Sequence, residues 1–397
     1  MNRYDRTHRL AAASLLAVCA AANGADRIAA LSEGRTSLDL RLRYETVTQD
    51  GALADAAALT LRTRLGYTTA PWSALEGFVE MESVAAPIDD YAPVTPGHST
   101  IADPPGTEVN QFGLRYTGVP GLNLSLGRSR LVLDNARWVG NVAWRQNEQT
   151  FDGAFLRWGD SATGPSGQYA YLTNVHTVTG ADLDLEGHLF NLGLRARPWL
   201  ALTAYLYRLD FAAPGTADTV SFGLRGHGRR PLGARASLSY AVEYARQQAQ
   251  TAAGDFRAGY ALAEIGVGIA PVALTLGYEV LGSDHGRYGL QTPLATKHAF
   301  QGWADAFLTT PDTGIADLYA AAQGAIGPLR LTAVWHRFAT AASCAQPGRH
   351  GDEFDISAGM PLAGALTGLI KAARYRAAPG SGTADTDKLW AQLEYAF

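Results

Sequence analysis

From residue 37 onward, hydrophobic and polar residues alternate with a period of two. Leu38, Leu40, Leu42 and Tyr44 alternate with Asp39, Arg41, Arg43 and Glu45. Leu59, Leu61, Leu65 and Tyr67 oppose Arg62, Arg64 and Gly66, and Leu75, Val79 and Met81 oppose Glu76, Glu80 and Glu82. This alternation predicts strands with one apolar and one polar face, a property shared by soluble sandwiches and membrane barrels. Strands are predicted at 37–48, 57–69, 74–85, 108–117, 121–128, 150–158, 168–177, 185–197, 199–210, 219–227, 235–247, 257–269, 272–282, 316–326, 329–339, 353–360, 364–376 and 387–397.

Connection lengths separate the two architectures. Every second gap is tight, as at 70–73, 117–121, 197–198, 270–271, 327–328 and 361–364. The alternate gaps are mostly longer: 86–107, 129–149, 248–256, 283–315 and 340–352. Short turns at one end and long loops at the other are the mark of an outer-membrane barrel, and a sandwich has no reason to sort its loops by parity. The reading is an all-β chain forming a single antiparallel transmembrane β-barrel of about 18 strands (16–18), with short periplasmic turns and long extracellular loops. That topology places Gly51, Asp103, Asn147, Asp255, Asp312 and Gly348 outside the cell and Pro71, Gly118, Pro198 and Pro328 in the periplasm.

The N-terminus carries Arg3, Arg6 and Arg9, then a short apolar run at 10–22, then Ala22, Asn23, Gly24 and Ala25. This is the layout of a secretory signal peptide over 1–24, with the barrel at 25–397. The last strand alternates Leu389, Ala391, Leu393, Tyr395 and Phe397 with Lys388, Trp390, Gln392 and Glu394. Tyr395 and Phe397 form an aromatic ending like the signal that the barrel-assembly machinery reads.

Composition agrees with a folded chain. Hydrophobic residues make up 47% and charged residues 18%, so disorder is excluded. No run of about 18 apolar residues exists to form a membrane helix. The net charge of −4 argues against a nucleic-acid binder held by general basicity. The only lysines are Lys297, Lys371 and Lys388; all other basic residues are arginine. Cys19 and Cys344 cannot build a disulfide framework.

Seven blocks, 41–51, 59–67, 102–111, 139–153, 277–284, 291–311 and 386–397, resemble a porin-like family labelled alginate export. The resemblance implies an 18-stranded outer-membrane channel and suggests one known activity of the group, exopolysaccharide export.

Candidate pore-lining residues are Arg41, Arg43, Arg62, Arg64, Glu76, Glu80, Glu82, Arg115 and Arg128. An arginine in hydrocarbon costs about 2–4 kcal/mol near the midplane, so these charges are expected to face the lumen. Arginine ladders on the first two strands are expected beside a glutamate ladder on the third, giving a transverse field. The loop at 129–149 offers Arg130, Arg137, Trp144, Arg145, Gln146 and Asn147 as a constriction suited to carboxylates and sugar hydroxyls. Its arginines, added to those of the wall, are expected to outnumber the carboxylates and favour anions. The loop at 283–315, with Trp303 and Phe307, is a candidate plug.

The function expected is an outer-membrane channel for passive transport of small hydrophilic solutes, anionic or sugar-acid in type. The alternatives are an alginate-like export pore and, from another class, a barrel hydrolase. For the hydrolase, His98–Ser99 and Ser161 are the only candidates. No cofactor or metal set is expected, because the nine histidines are scattered. Expected partners are outer-membrane lipid and lipopolysaccharide, the barrel-assembly machinery and small anionic or saccharide solutes.

Overall fold

A computed structural model describes residues 29–160, 164–341 and 348–397. The proposed export segment 1–24, with Cys19, as well as Ser161 and Cys344, lies outside the described residues. The chain forms eighteen strands: β1 (Arg35–Gln49), β2 (Ala56–Thr68), β3 (Leu75–Asp90), β4 (Gly106–Tyr116), β5 (Leu122–Ser129), β6 (Thr150–Gly159), β7 (Pro165–His176), β8 (Asp182–Arg197), β9 (Leu200–Phe211), β10 (Asp218–Pro231), β11 (Ala236–Thr251), β12 (Gly254–Ile269), β13 (Val272–Leu281), β14 (Ile315–Ile326), β15 (Leu329–Ala339), β16 (Arg349–Ala363), β17 (Leu366–Ala377) and β18 (Thr386–Ala396). Each pairs antiparallel with the next, and β1 pairs with β18, so the sheet closes on itself. Closure leaves no free edge.

The period-two pattern sets the two faces of the wall. Leu42 lies in register with Leu61 on β2 and Leu393 on β18, and all three are exposed on the outer surface. One residue along, Arg41 lies in register with Arg62 and Glu394 on the inner face. The same division runs around the ring, with Leu224, Val242, Ile265, Leu274, Ile356 and Ile370 outside. Phe397 is 76% exposed and Tyr395 is 37% exposed at the short-turn end. Reciprocal backbone hydrogen bonds join Leu38 to Phe397 and complete the β1–β18 seam.

All eighteen strands lie where alternation predicts them, but the β11–β12 connection is a correction. The expected loop at 248–256 is a tight turn between Thr251 and Gly254, because the alternation of β11 and β12 continues to those residues. The expected loop at 340–352 is likewise shorter, because β16 begins at Arg349, and the long connections 91–105, 130–149 and 282–314 all leave the same end of the barrel.

Candidate functional site

Two long loops enter the barrel. The β5–β6 loop (130–149) buries Arg137, Trp138, Arg145, Gln146, Asn147 and Glu148. The indole of Trp138 donates to Glu243 on β11 at 2.8 Å. Six residues further, the Trp144 carbonyl accepts from Arg43 on β1 at 2.5 Å, and the Ala143 carbonyl accepts from Arg41 at 3.0 Å. In a ring of eighteen strands β1 and β11 are eight steps apart one way and ten the other, so the loop crosses the lumen from wall to opposite wall.

The β13–β14 loop (282–314) packs against the first. Gly140 donates its backbone N–H to Leu294, and Gln149 donates its side-chain amide to the same carbonyl. Arg145 pairs with Asp305 at 2.6 Å. Trp303 and Ala304 donate their backbone N–H groups to Asp355 and Glu353 on β16. Phe307 packs among Phe338, His350 and Tyr375. Trp303 and Phe307, on the loop read from the sequence as a candidate plug, are thus directed at the wall.

Most of the arginines named from the sequence lie in this inner volume, each beside an acid. Arg41 pairs with Glu394 at 2.7 Å, and Arg43 pairs with Asp103 at 3.3 Å and with the Gln392 amide oxygen. Arg62 pairs with Asp39, and Arg64 with Glu82. Arg115 faces Glu76 at 3.4 Å. Arg130 sits between Glu80 and Glu148. Arg137 is buried against Glu279 at 2.7 Å, and Arg145 also reaches Glu45 at 3.4 Å.

Three expectations are corrected here. Arg128 does not share the face of Arg115: its register partner is Phe112, on the outer surface, and it pairs there with Asp152 at 2.8 Å. The reason is parity, since Arg128 follows Leu122, Leu124 and Leu126 at intervals of two. The glutamates of β3 are each paired with an arginine, Glu82 with Arg64 on β2, Glu76 with Arg115 on β4 and Glu80 with Arg130 in the loop, so they do not stand as an unpaired ladder facing the arginines across the lumen. The third correction concerns charge balance. Asp103, Glu148, Glu243, Glu279, Asp305 and Glu394 bring carboxylates to the arginines, and the excess of positive charge is cancelled at the loops.

The polar residues of the crossing loop are occupied with anchoring. Gln146 donates to Thr60 on β2, and Asn147 donates to the carbonyls of Pro104 and Val178. Trp144 has His298 stacked at 4.9 Å between centroids, with the Arg43 guanidinium and Lys371 Nζ each 4.1 Å from its ring. Asp103 and Asn147, expected at the outer surface, lie at the loop end but are buried by this packing.

Burial pushes the Asp305 carboxyl up, but His298, Lys388 and Arg145 outweigh that and hold it well below the usual carboxylate range. Burial drives His298 well below its ordinary value; Asp305 opposes the shift and Lys371 adds to it. The loop end therefore carries an ionised aspartate and a neutral imidazole side by side at neutral pH.

Lys371, Lys388, Glu243 and Glu279 escaped the sequence reading although their strand parity marks them as inward. Asp305 and His298 sit in irregular chain with no periodic signal. His98 hydrogen-bonds the Asp55 carbonyl, and the buried Ser99 hydroxyl has no partner among the described residues, so the two do not form a nucleophile–base pair.

No protein-family profile and no curated protein matches the sequence, so the alginate-export resemblance stands without a profile behind it. Among solved structures the fold is similar to Acinetobacter baumannii OccAB3, with a TM-score of 0.72 and 11% identity over 92% of this chain and 100% of that one. It is similar to A. baumannii OccAB4, with a TM-score of 0.70 and 14% identity over 92% and 98% of the two chains. It is also similar to Pseudomonas aeruginosa OpdL, with a TM-score of 0.69 and 17% identity over 92% and 99%. At these identities the likeness is one of fold, a closed 18-stranded barrel.

Proposed function

We propose that the chain is an outer-membrane channel for passive diffusion of small hydrophilic solutes, with anionic solutes and sugar acids preferred. One observation carries this reading: a closed wall, apolar outside and charged inside, with a loop tied across its lumen. The apolar outer face suits lipid, and a charged inner face is tolerated only against water or its own counter-charges. The fold is that of the Occ and Opd outer-membrane channels. Delivery by an export signal at 1–24 belongs to the same proposal.

The preference for anions rests on Arg115 and Arg130, which Glu76, Glu80 and Glu148 hold from one side and whose side chains remain 38% and 31% exposed. Their remaining N–H groups can donate to the carboxylate oxygens of a solute. Purified protein in a planar bilayer is expected to give discrete conductance steps, and loaded liposomes are expected to swell faster with a uronate than with a neutral sugar of equal size. Absence of any conductance would overturn the channel reading. Export of an acidic exopolysaccharide is the narrower reading, and the loop anchored on both β1 and β11 argues against free passage of a polymer.

A further inference from the structure

On the outer wall of β9–β12, strand register lines up a row across four strands near the loop end. Arg208 pairs with Val220, Val220 with Gln248, and Gln248 with Arg257. One row nearer the barrel middle, Leu206 pairs with Phe222, Phe222 with Arg246, and Arg246 with Gly259. The next row holds Leu224 and Tyr244, with the outward Val242 beyond it on β11. On β9 and β11 charge thus gives way to exposed apolar surface within two residues, from Arg208 to Leu206 and from Arg246 to Tyr244.

The three arginines are not equivalent. Arg208 is neutralised by Asp210 at 2.6 Å. Arg246 donates to the Tyr244 hydroxyl at 2.7 Å and its guanidinium pairs with no acid among the described residues. Arg257 gives its backbone N–H to the Asp284 carboxylate at 3.0 Å, while its guanidinium has no ion pair among those residues. Arg246 and Arg257 occupy diagonal positions on adjacent strands, roughly 7–8 Å apart. Gly259 lies opposite Arg246 and two residues beyond Arg257 on β12; an added Cβ there would meet nothing closer than 3.9 Å, so no side chain fills that position of the outer face. Toward the loop tips the register continues through Asp218, Gln250 and Asp255, which repel an anion above the arginine row and so fix the depth at which one can sit.

We propose that Arg246 and Arg257, with the apolar surface of Phe222, Leu224, Val242 and Tyr244 beneath them, dock the phosphate of a phosphorylated glycolipid in the outer leaflet. Two guanidinium groups suit a phosphate because each offers paired N–H donors to its oxygens. The acyl chains then lie along the apolar rows below. This inference rests on the reading of the barrel as an outer-membrane protein, and it adds a defined lipid contact on one arc of the wall.

The test is titration of the full detergent-solubilised chain with bisphosphorylated lipid A, its dephosphorylated form and inorganic phosphate, read by native mass spectrometry. Wild type is expected to retain lipid A and to bind the dephosphorylated lipid more weakly. The Arg246→Gln/Arg257→Gln variant should lose lipid A affinity by about tenfold or more, since hydrogen bonds to a charged group are worth that much. Equal binding of the two lipids, or an unaffected variant, overturns the proposal. Displacement of lipid A by equimolar inorganic phosphate overturns the commitment to a lipid. Bilayer conductance separates the two levels: a variant that conducts like wild type while binding changes as expected supports both, and a wild type that never inserts undermines the membrane reading itself.

Discussion

Lys371 on β17 donates from Nζ to Nε2 of His298 at 2.7 Å, and His298 passes its Nδ1–H to Asp305 at 2.8 Å. With Nδ1–H given to Asp305, Nε2 is left as the acceptor for Lys371, the arrangement of a neutral imidazole, and burial favours that form. The groups facing this chain are Arg145 from the crossing loop, Lys388 and Trp390 from β18, and Asp355 from β16. Protonating His298 would set a second cation against Lys371 inside a box of tryptophans.

Acid should therefore release the β13–β14 loop from β17. His298 is held below its ordinary value of about 6.5 when latched, so the released loop binds more protons. The latch is fully favoured above that value and weakens as the pH falls below it. Single-channel records should show new gating or a changed conductance between neutral pH and about pH 5. His298→Gln should remove that transition. An identical pH response in the variant would assign the effect to other groups.

Arg145 is the second anchor, and its loss strands Glu45 and leaves Asp305 to Lys388 and His298. Breaking a buried pair of this kind costs about 3–5 kcal/mol. Arg145→Gln should lower the thermal midpoint in detergent by several degrees without changing the circular dichroism of the strands.

Selectivity follows from the same bookkeeping of charge. Arg137 and Arg145 each cancel a carboxylate at the loops, so Arg137→Gln with Arg145→Gln should move the zero-current potential in a salt gradient toward cations. An unchanged reversal potential would mean that ions pass elsewhere.

Thiol labelling of intact cells should distinguish position from access. Cysteines at Gly51, Asp255 and Asp312 should react from outside, since these residues are exposed at the loop end. Cysteines at Asp103 or Asn147 should not react, although they leave the same end, because both are buried. Labelling at Pro328 from outside would invert the topology.

Phe397→Ser should reduce insertion strongly, whereas Leu366→Ser should matter less. The backbone bonds of Phe397 to Leu38 survive the substitution, so a loss would report recognition of the side chain during assembly. Equal insertion of wild type and variant would remove that role.

The strands were legible because a two-faced wall imposes period two on every one of them, and β1 with its Leu42 and Arg41 is typical. Arg128 is the exception, since its charge argues for the inner face but its parity with Leu122, Leu124 and Leu126 puts it on the outer face. The loop anchors were illegible for a different reason. Arg137 lies 142 residues from Glu279, and Arg145 lies 160 from Asp305. Only ring closure brings such partners together, and no local pattern encodes it.

A single-layered hoop flattens easily, because bending it strains few contacts at any one place. The chain between Trp138 and Trp144 acts as a tie-rod across that hoop, fixed at both ends by hydrogen bonds to strands on opposite sides. The roundness of the barrel is thus held partly from within. A substitution at Glu243 would be felt at Arg43, because one short segment, steadied midway at Leu294 and Thr296, joins the two ends.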